Sequence, residues 1–225
     1  MLRLFAPVTA AVIVATAAIG AATGGIRTAP GLVAVPAPVF DIAAASAAPV
    51  DTAVFAGGCF WGIEAVFEHI RGVRSAVSGY SGGKTGDPSY EDVSGGATGH
   101  AEAVRVVYDP AVVSYGQLLQ VFFSVAHDPT QLNRQGPDHG TQYRSAIFYR
   151  TAEQQRAAEG YVRQLTAAKT FSAPIVTQIV PLTKFYQAED YHQDYMVHHP
   201  NQPYIVYNDA PKVAQLKQQF PALYQ

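Results

Sequence analysis

The 225-residue chain contains a single cysteine, Cys59, and that count alone removes several ways of holding a protein of this size together. One thiol cannot close an internal disulfide, and one cysteine with scattered histidines supplies none of the paired spacings of a structural zinc site. Stability must therefore come from a buried apolar core. Residues for one are present: 48% of the chain is hydrophobic and 11% aromatic, as in an ordinary folded domain. Fifteen basic and seventeen acidic side chains leave a formal charge of −2, with no long block of one sign, which argues against nucleic acid as a partner. Cys59 is then either core filler, the commoner fate of a free thiol, or a reactive group.

The first residues differ from the rest. Met1-Leu2-Arg3 leads into an almost uncharged Ala/Val/Ile stretch that runs to Gly25. A short positive start, an apolar middle and small residues from Ala18 to Ala22 predict a cleaved export signal over residues 1–25, hence a periplasmic or envelope location. The alternative is an uncleaved anchor, since about 20 apolar residues can span a bilayer. Residues 26–49, rich in Ala and Pro, read as a tether, and the folded domain is expected over residues 50–225.

Within that domain apolar periodicity alternates between two and 3.6 residues. Ala53 to Ala56 is β-prone and ends at Gly57-Gly58, and Phe60 to Arg71 carries Ile63, Val66, Phe67 and Ile70 on one helical face, with Gly72 expected at the C-cap. Val73 to Tyr80 resumes a strand, Ser81 to Ser89 is a loop, and Ala101 to Tyr108 alternates as a strand. Ser114 to Gln117 caps a helix over Leu118 to Ala126. Ser145 to Tyr149, Thr151 to Lys169 and Ile175 to Pro181 follow as strand, helix with Thr151 as N-cap, and strand. A short helix is expected from Val213 to Phe220. Strands alternating with helices predict a two-layer α/β sandwich, a sheet with helices packed against it.

Cys59 thus falls at a strand-to-helix turn, where unpaired backbone N–H groups and the positive helix end should favour a thiolate. Phe60 and Trp61, the latter the only tryptophan of the chain, could line an apolar pocket at the thiol or simply fill the core. Glu102 opens an apolar strand; it is either an acid kept protonated by burial or an exposed strand-end carboxylate. The polar stretch from His127 to Arg144 is a long loop of the kind that usually carries function.

Three segments occurring together and in order, Gly57-Gly58-Cys59-Phe60-Trp61-Gly62, Gly99-His100-Ala101-Glu102 and Asp138-His139-Gly140-Thr141-Gln142-Tyr143-Arg144-Ser145, resemble peptide methionine sulfoxide reductase A. The resemblance runs from about Thr52 to His199 and includes Glu189-Asp190-Tyr191-His192-Gln193-Asp194-Tyr195. It implies a ferredoxin-like α/β sandwich with a mixed sheet, and reduction of the S epimer of methionine sulfoxide in oxidised proteins, peptides or the free amino acid. It implies that Cys59 attacks the sulfoxide sulfur and becomes a sulfenic acid while Glu102 protonates the oxygen. Phe60 and Trp61 would hold the substrate methyl, Tyr90 and Tyr143 would donate hydrogen bonds to the oxygen, and Asp138 would support the site. Many family members carry resolving cysteines near the C-terminus. Here there are none, so an external thiol, a thioredoxin-like protein or a small thiol, must recycle Cys59. No bound cofactor or metal is expected, and a monomer is. Two rivals are a Cys/His acyl-transfer enzyme using His100, His127, His139 or His192 as base, and a non-catalytic methionine-binding module.

Overall fold

The computed structural model describes residues 35–42 and 50–225; the expected export signal, and the tether apart from residues 35–42, lie outside the described residues. The first strand, β1 (Asp51–Gly57), runs into helix α1 (Phe60–Glu68), and then come β2 (Val73–Ser81), a short α2 (Tyr90–Ser94), β3 (Ala101–Tyr108) and α3 (Tyr115–Val121). A hairpin of β4 (Arg134–Gln135) and β5 (Asp138–His139) leads to β6 (Ser145–Tyr149) and α4 (Ala152–Ala167). The chain closes with β7 (Gln178–Pro181), β8 (Phe185–Gln187), α5 (Tyr195–His198) and α6 (Ala210–Gln219). Six strands form one mixed sheet in the order β7-β6-β1-β3-β2-β8, antiparallel except at the β6–β7 edge.

Strand parity divides the core. Phe55, Val104, Val106 and Ile147 meet the helices through Phe60, Ile63 and Phe67 of α1, Leu118 and Leu119 of α3, Tyr161 and Leu165 of α4, and Leu216 of α6. Phe55 is stacked between Phe67 and Phe122, with ring centroids 5.1 and 4.9 Å away; burying one such ring is worth about 1.5–3 kcal/mol. The opposite face is lined by smaller residues, Val54, Ala56, Ala101, Ala103 and Ala146 with Phe148, and is covered by Val180, Leu182 and Phe185. Helices therefore pack on one face of the sheet, and the α/β reading holds. On β3 the residues in step with Val104 and Val106 point toward the helices, and Glu102 is one of them.

Several boundaries differ from the sequence expectation for identifiable reasons. Helix α1 stops at Glu68 instead of Arg71, because Ile70 pairs with Tyr224 and the Arg71 N–H donates to the Leu223 carbonyl at 2.6 Å. Gly72, at φ +93°, turns the chain into β2 instead of closing the helix. The Ser114–Gln117 capping box is present, but α3 starts at Tyr115 and passes into a π-helical turn over Phe122–Ala126. The strand expected over 175–181 shortens to Gln178–Pro181, the stretch that pairs with Ala146–Tyr149. The final helix starts earlier, at Ala210, and α2, β8 and α5 have no counterpart in the periodicity; all are short, α2 being held by a side-chain capping box and β8 by pairing with β2.

Residues 35–42 lie along the helical layer. Val35 is buried, its carbonyl accepts from Gln120 Nε2 at 3.0 Å, and the Pro36 carbonyl accepts from the Tyr161 hydroxyl at 2.7 Å. Gln164 bonds both the Ala37 carbonyl and the Val39 N–H at 2.8 Å. The Asp41 carboxylate accepts from the Gly116 N–H at 2.7 Å and from the Ser114 hydroxyl.

Candidate active site

Gly58 makes the turn between β1 and α1 with φ +100°, and a Cβ there would lie 2.6 Å from Gln135. That backbone conformation is strained for any residue with a side chain, so the glycine is required where the strand hands over to the helix. Cys59 is the N-cap of α1, and its sulfur lies at the end of the helix, facing the Trp61 backbone N–H. Phe60 and Trp61 follow in the first turn.

Parity carries Glu102 to the same place. Its Oε2 accepts from the Phe60 N–H at 3.0 Å, so a free helix-start donor meets the acid across from the thiol. Glu102 is only 2% exposed, which makes it the buried acid of the two sequence readings. Burial, opposed by the Phe60 N–H and reinforced by the Asp138 and Asp209 charges, raises its pKa to about 8. The group therefore holds a proton at neutral pH.

The loop residues arrive by local devices. Ser89 and Asp92 form a reciprocal capping box that starts α2 at Tyr90, and Glu189 ties this start to the sheet by accepting from the Tyr90 N–H at 2.8 Å and the Tyr80 hydroxyl at 2.9 Å. The β4–β5 hairpin carries Asp138 and is fastened by Gln135, whose side chain bonds both the Asp128 N–H and its carbonyl. A 3₁₀ turn over Thr141–Tyr143 then brings in Tyr143. Cys59, Phe60, Trp61, Tyr90, Glu102, Asp138 and Tyr143, the seven residues singled out from the sequence, line one cavity of about 280 Å³.

Two further lining residues, Gln202 and Tyr204, were not singled out as site residues. The Tyr204 hydroxyl donates to Asp138 Oδ2. Behind the cavity, Tyr195 stacks on Trp61 with centroids 3.7 Å apart and planes 6° from parallel, and the Trp61 Nε1–H donates to His192 Nδ1 at 3.1 Å. Gln193 pins this segment to the edge of β2 by bonding the Ser78 N–H at 3.0 Å and its carbonyl at 3.1 Å. His192, Gln193 and Tyr195 lie in the Glu189–Tyr195 segment of the family resemblance, without a role assigned from it, and for Gln202 and Tyr204 the sequence signal is the density of tyrosines at 191, 195, 204 and 207.

The helix start does not leave Cys59 ionised, which corrects the expectation drawn from its position. Burial first, then the charges of Glu102 and Asp209, push the thiol well above its usual range. The Trp61 backbone N–H and Lys212 pull the other way, and the desolvation of a buried sulfur outweighs them. Tyr90 and Tyr143 are raised by burial and stay neutral hydrogen-bond donors. The resting site thus holds a thiol, a protonated carboxyl and three phenols, those of Tyr90, Tyr143 and Tyr204, around an aromatic wall.

None of the histidines offered as bases for acyl transfer lines this cavity. His127 is buried between the Phe122 carbonyl and the Ser145 hydroxyl, and burial lowers its pKa to about 4. His100 is occupied by the Gly83 N–H and the Thr85 carbonyl, and His192 Nδ1 by Trp61.

Residues 51–223 match the family model described as peptide methionine sulfoxide reductase. Peptide methionine sulfoxide reductase MsrA 2 of Mesorhizobium japonicum is 62% identical over 174 residues, 77% of this chain and 89% of that protein. The MsrA of Deinococcus radiodurans is 53% identical over 170 residues, 76% of this chain and 82% of its own. Among solved structures, reduced Mxr1 from Saccharomyces cerevisiae superposes with a TM-score of 0.65 at 33% identity, covering 70% of this chain and 90% of that one. Methionine sulfoxide reductase A of Corynebacterium diphtheriae gives a TM-score of 0.61 at 38% identity, with 70% and 78% covered. Identity at this level, spread over the whole body that builds the thiol–carboxyl cavity, means that the chain belongs to the peptide methionine sulfoxide reductase A family and is a reductase of that class.

Proposed function

We propose that the enzyme reduces the S epimer of methionine sulfoxide, peptide-bound or free, with Cys59 as nucleophile, Glu102 as proton donor and an external thiol as reductant. The observation that carries this reading is the meeting of a lone thiol and a buried, protonated carboxyl in one cavity walled by aromatic rings. Sulfur attack by Cys59 is coupled to transfer of the Glu102 proton to the sulfoxide oxygen, and the Glu102 carboxylate then takes the thiol proton. The bond between the substrate sulfur and the oxygen breaks as the oxygen passes to Cys59, methionine leaves, Cys59 is left as the sulfenic acid, and the carboxyl is again protonated. General acid catalysis of this kind contributes about 10²–10⁴-fold.

Epimer choice follows from the division of the cavity. The methyl group lies against Phe60 and Trp61, and the oxygen faces Glu102, Tyr90 and Tyr143, with Asp138 and Tyr204 bracing that side. The mirror arrangement sets the oxygen against the aromatic wall and leaves buried donors unpaired, which a polar site rejects strongly.

Recycling needs two thiols. The first, on a thioredoxin-like protein or a small molecule, condenses with the sulfenic acid to a mixed disulfide and water; the second displaces Cys59 as thiolate. No bound cofactor or metal enters this scheme. The ferredoxin-like description of the fold is part of the same reading, supported by the order β6-β1-β3-β2 with α1 and α3 on one face of the sheet. Export, with residues 1–25 as signal and 26–49 leading to the domain over 50–225, is supported by the Arg3 start and the uncharged run to Gly25, and the exported protein is a monomer in this reading. The intact mass of the mature protein tests the export signal.

The decisive test is a single turnover without reductant, run separately on S and R methionine sulfoxide in a peptide. The S epimer gives one equivalent of methionine and one dimedone adduct on Cys59, the R epimer gives neither, and Cys59→Ser gives neither with both. Methionine formed without a Cys59 adduct, or equally from both epimers, overturns the reading.

A further inference from the structure

The C-terminal segment seats an ion pair against the start of α1. Asp209 stands at the entrance of α6 with its side chain fully buried, and its Oδ1 lies 3.1 Å from Lys212 Nζ, whose side chain is 18% exposed. Asp209 ends a π-helical turn over Ile205–Asp209 that runs straight into α6, so its carboxylate caps no backbone N–H, and its second oxygen is buried without a partner. The pair abuts Gly62 instead, where any Cβ would collide with the Asp209 carboxylate and come 2.8 Å from Lys212 Nζ. Gly62 is in the first turn of α1, three residues beyond Cys59.

We propose that Lys212, anchored by Asp209, is a positioning residue for the thiol chemistry, supplying the cation that supports Cys59 whenever its sulfur carries negative charge. This rests on the reductase reading above, in which the sulfur bears that charge when the second external thiol displaces it from the mixed disulfide. The surroundings oppose that charge. Glu102 from β3 and Asp209 both push the thiol up, and Asp138 from β5 is a third carboxyl in the same site. Tyr90, Tyr143 and Tyr204 keep their protons and bring no positive charge. Burial dominates all three groups, and against it Lys212 draws Cys59 and Asp138 down while adding to the burial that lowers His127, as an ammonium within range of all three does. A leaving thiolate departs faster as its pKa falls, and a chain that depends on external thiols must release Cys59 in every cycle.

Because Cys59 is the only cysteine, the pH dependence of iodoacetamide alkylation on the full chain reads this thiol with no sulfoxide present. Lys212→Met moves the midpoint up by about one pH unit, so alkylation below it slows about tenfold. Lys212→Arg keeps the parent profile. Asp209→Asn, which leaves the ammonium unopposed, moves the midpoint down. These opposite signs separate an electrostatic role from a structural one, since a pair that merely held the segment in place would shift both variants the same way. Superimposable profiles for Lys212→Met and the parent overturn the proposal. Should Lys212→Met fail to fold, the Asp209→Asn profile decides alone: a fall supports the proposal, and no change or a rise overturns it. Alkylation shifts of the expected sign together with no sulfoxide reduction by the parent would instead sink the reductase reading and leave this one standing.

Discussion

The Phe60 backbone N–H donates to Glu102 Oε2 at 3.0 Å, so the residue that follows the nucleophile holds the acid that serves it. The bond joins the first turn of α1 to β3 across 42 positions of sequence. It also engages one Glu102 oxygen as acceptor, leaving the other free to carry the proton.

Glu102→Gln keeps the shape and the bond to Phe60, because the amide oxygen still accepts, but it removes the acidic proton. Sulfenic acid formation in a single turnover is expected to slow by about 10²–10⁴-fold. Stopped-flow tryptophan fluorescence or rapid quench measures it; a slowing of less than threefold would remove Glu102 from the role of proton donor.

The same variant should change how stability responds to pH. Burial raises Glu102 from 4.5 in the unfolded chain to about 8 in the folded one. Between those values the folded state binds the extra proton, so its contribution to stability is complete below about 4.5 and is lost as pH rises through about 8. Glutamine has no such loss. Urea unfolding at several pH values is expected to show Glu102→Gln gaining on the parent by up to about 1.4 kcal/mol per pH unit across this window. A constant difference between the two proteins would mean that Glu102 titrates normally.

Tyr195 stacks face to face on Trp61 at 3.7 Å and shields one side of the indole. Tyr195→Ala should shift the emission of this sole tryptophan to the red and reduce kcat/KM for methionine sulfoxide by about two- to tenfold, since such aromatic pairs are worth about 0.5–1.5 kcal/mol. Loss in kcat/KM with the emission unchanged would place the effect elsewhere than the aromatic wall.

Tyr161, itself buried, donates its hydroxyl to the Pro36 carbonyl at 2.7 Å. Tyr161→Phe removes that bond and keeps the ring, at a cost of about 1 kcal/mol. Urea unfolding of the full chain checks it. An unchanged midpoint would show that the bond from Tyr161 to the Pro36 carbonyl contributes nothing to stability.

Much of the chemistry was legible in the linear order of residues because it depends on short-range facts. The turn at Cys59 needed only a β-prone run, two glycines and an apolar helical face, and the helix starts at Ser114 and Thr151 followed from capping side chains close in sequence. The fate of Glu102 was left open by its position, since strand parity becomes burial only when a helix covers that face. Where tertiary pairing took over, periodicity failed: α1 lost its last residues to the bridge and backbone bond made with Tyr224 and Leu223 at the C-terminal end, and β7 kept only the residues that β6 could match.

The sequence by itself determined the reactive group, its neighbours in the first turn and the absence of a second cysteine, because each is a matter of identity or local spacing. Only the tertiary structure decided the charge state of the site. Burial of Cys59 beside Glu102 and Asp209 turned a helix start expected to favour a thiolate into a resting thiol. The Asp209–Lys212 pair and the Tyr195 wall came from a C-terminal segment with no periodic signal. Desolvation and Coulomb terms depend on distances through space, and residues far apart in sequence acquire those distances only when the chain has folded.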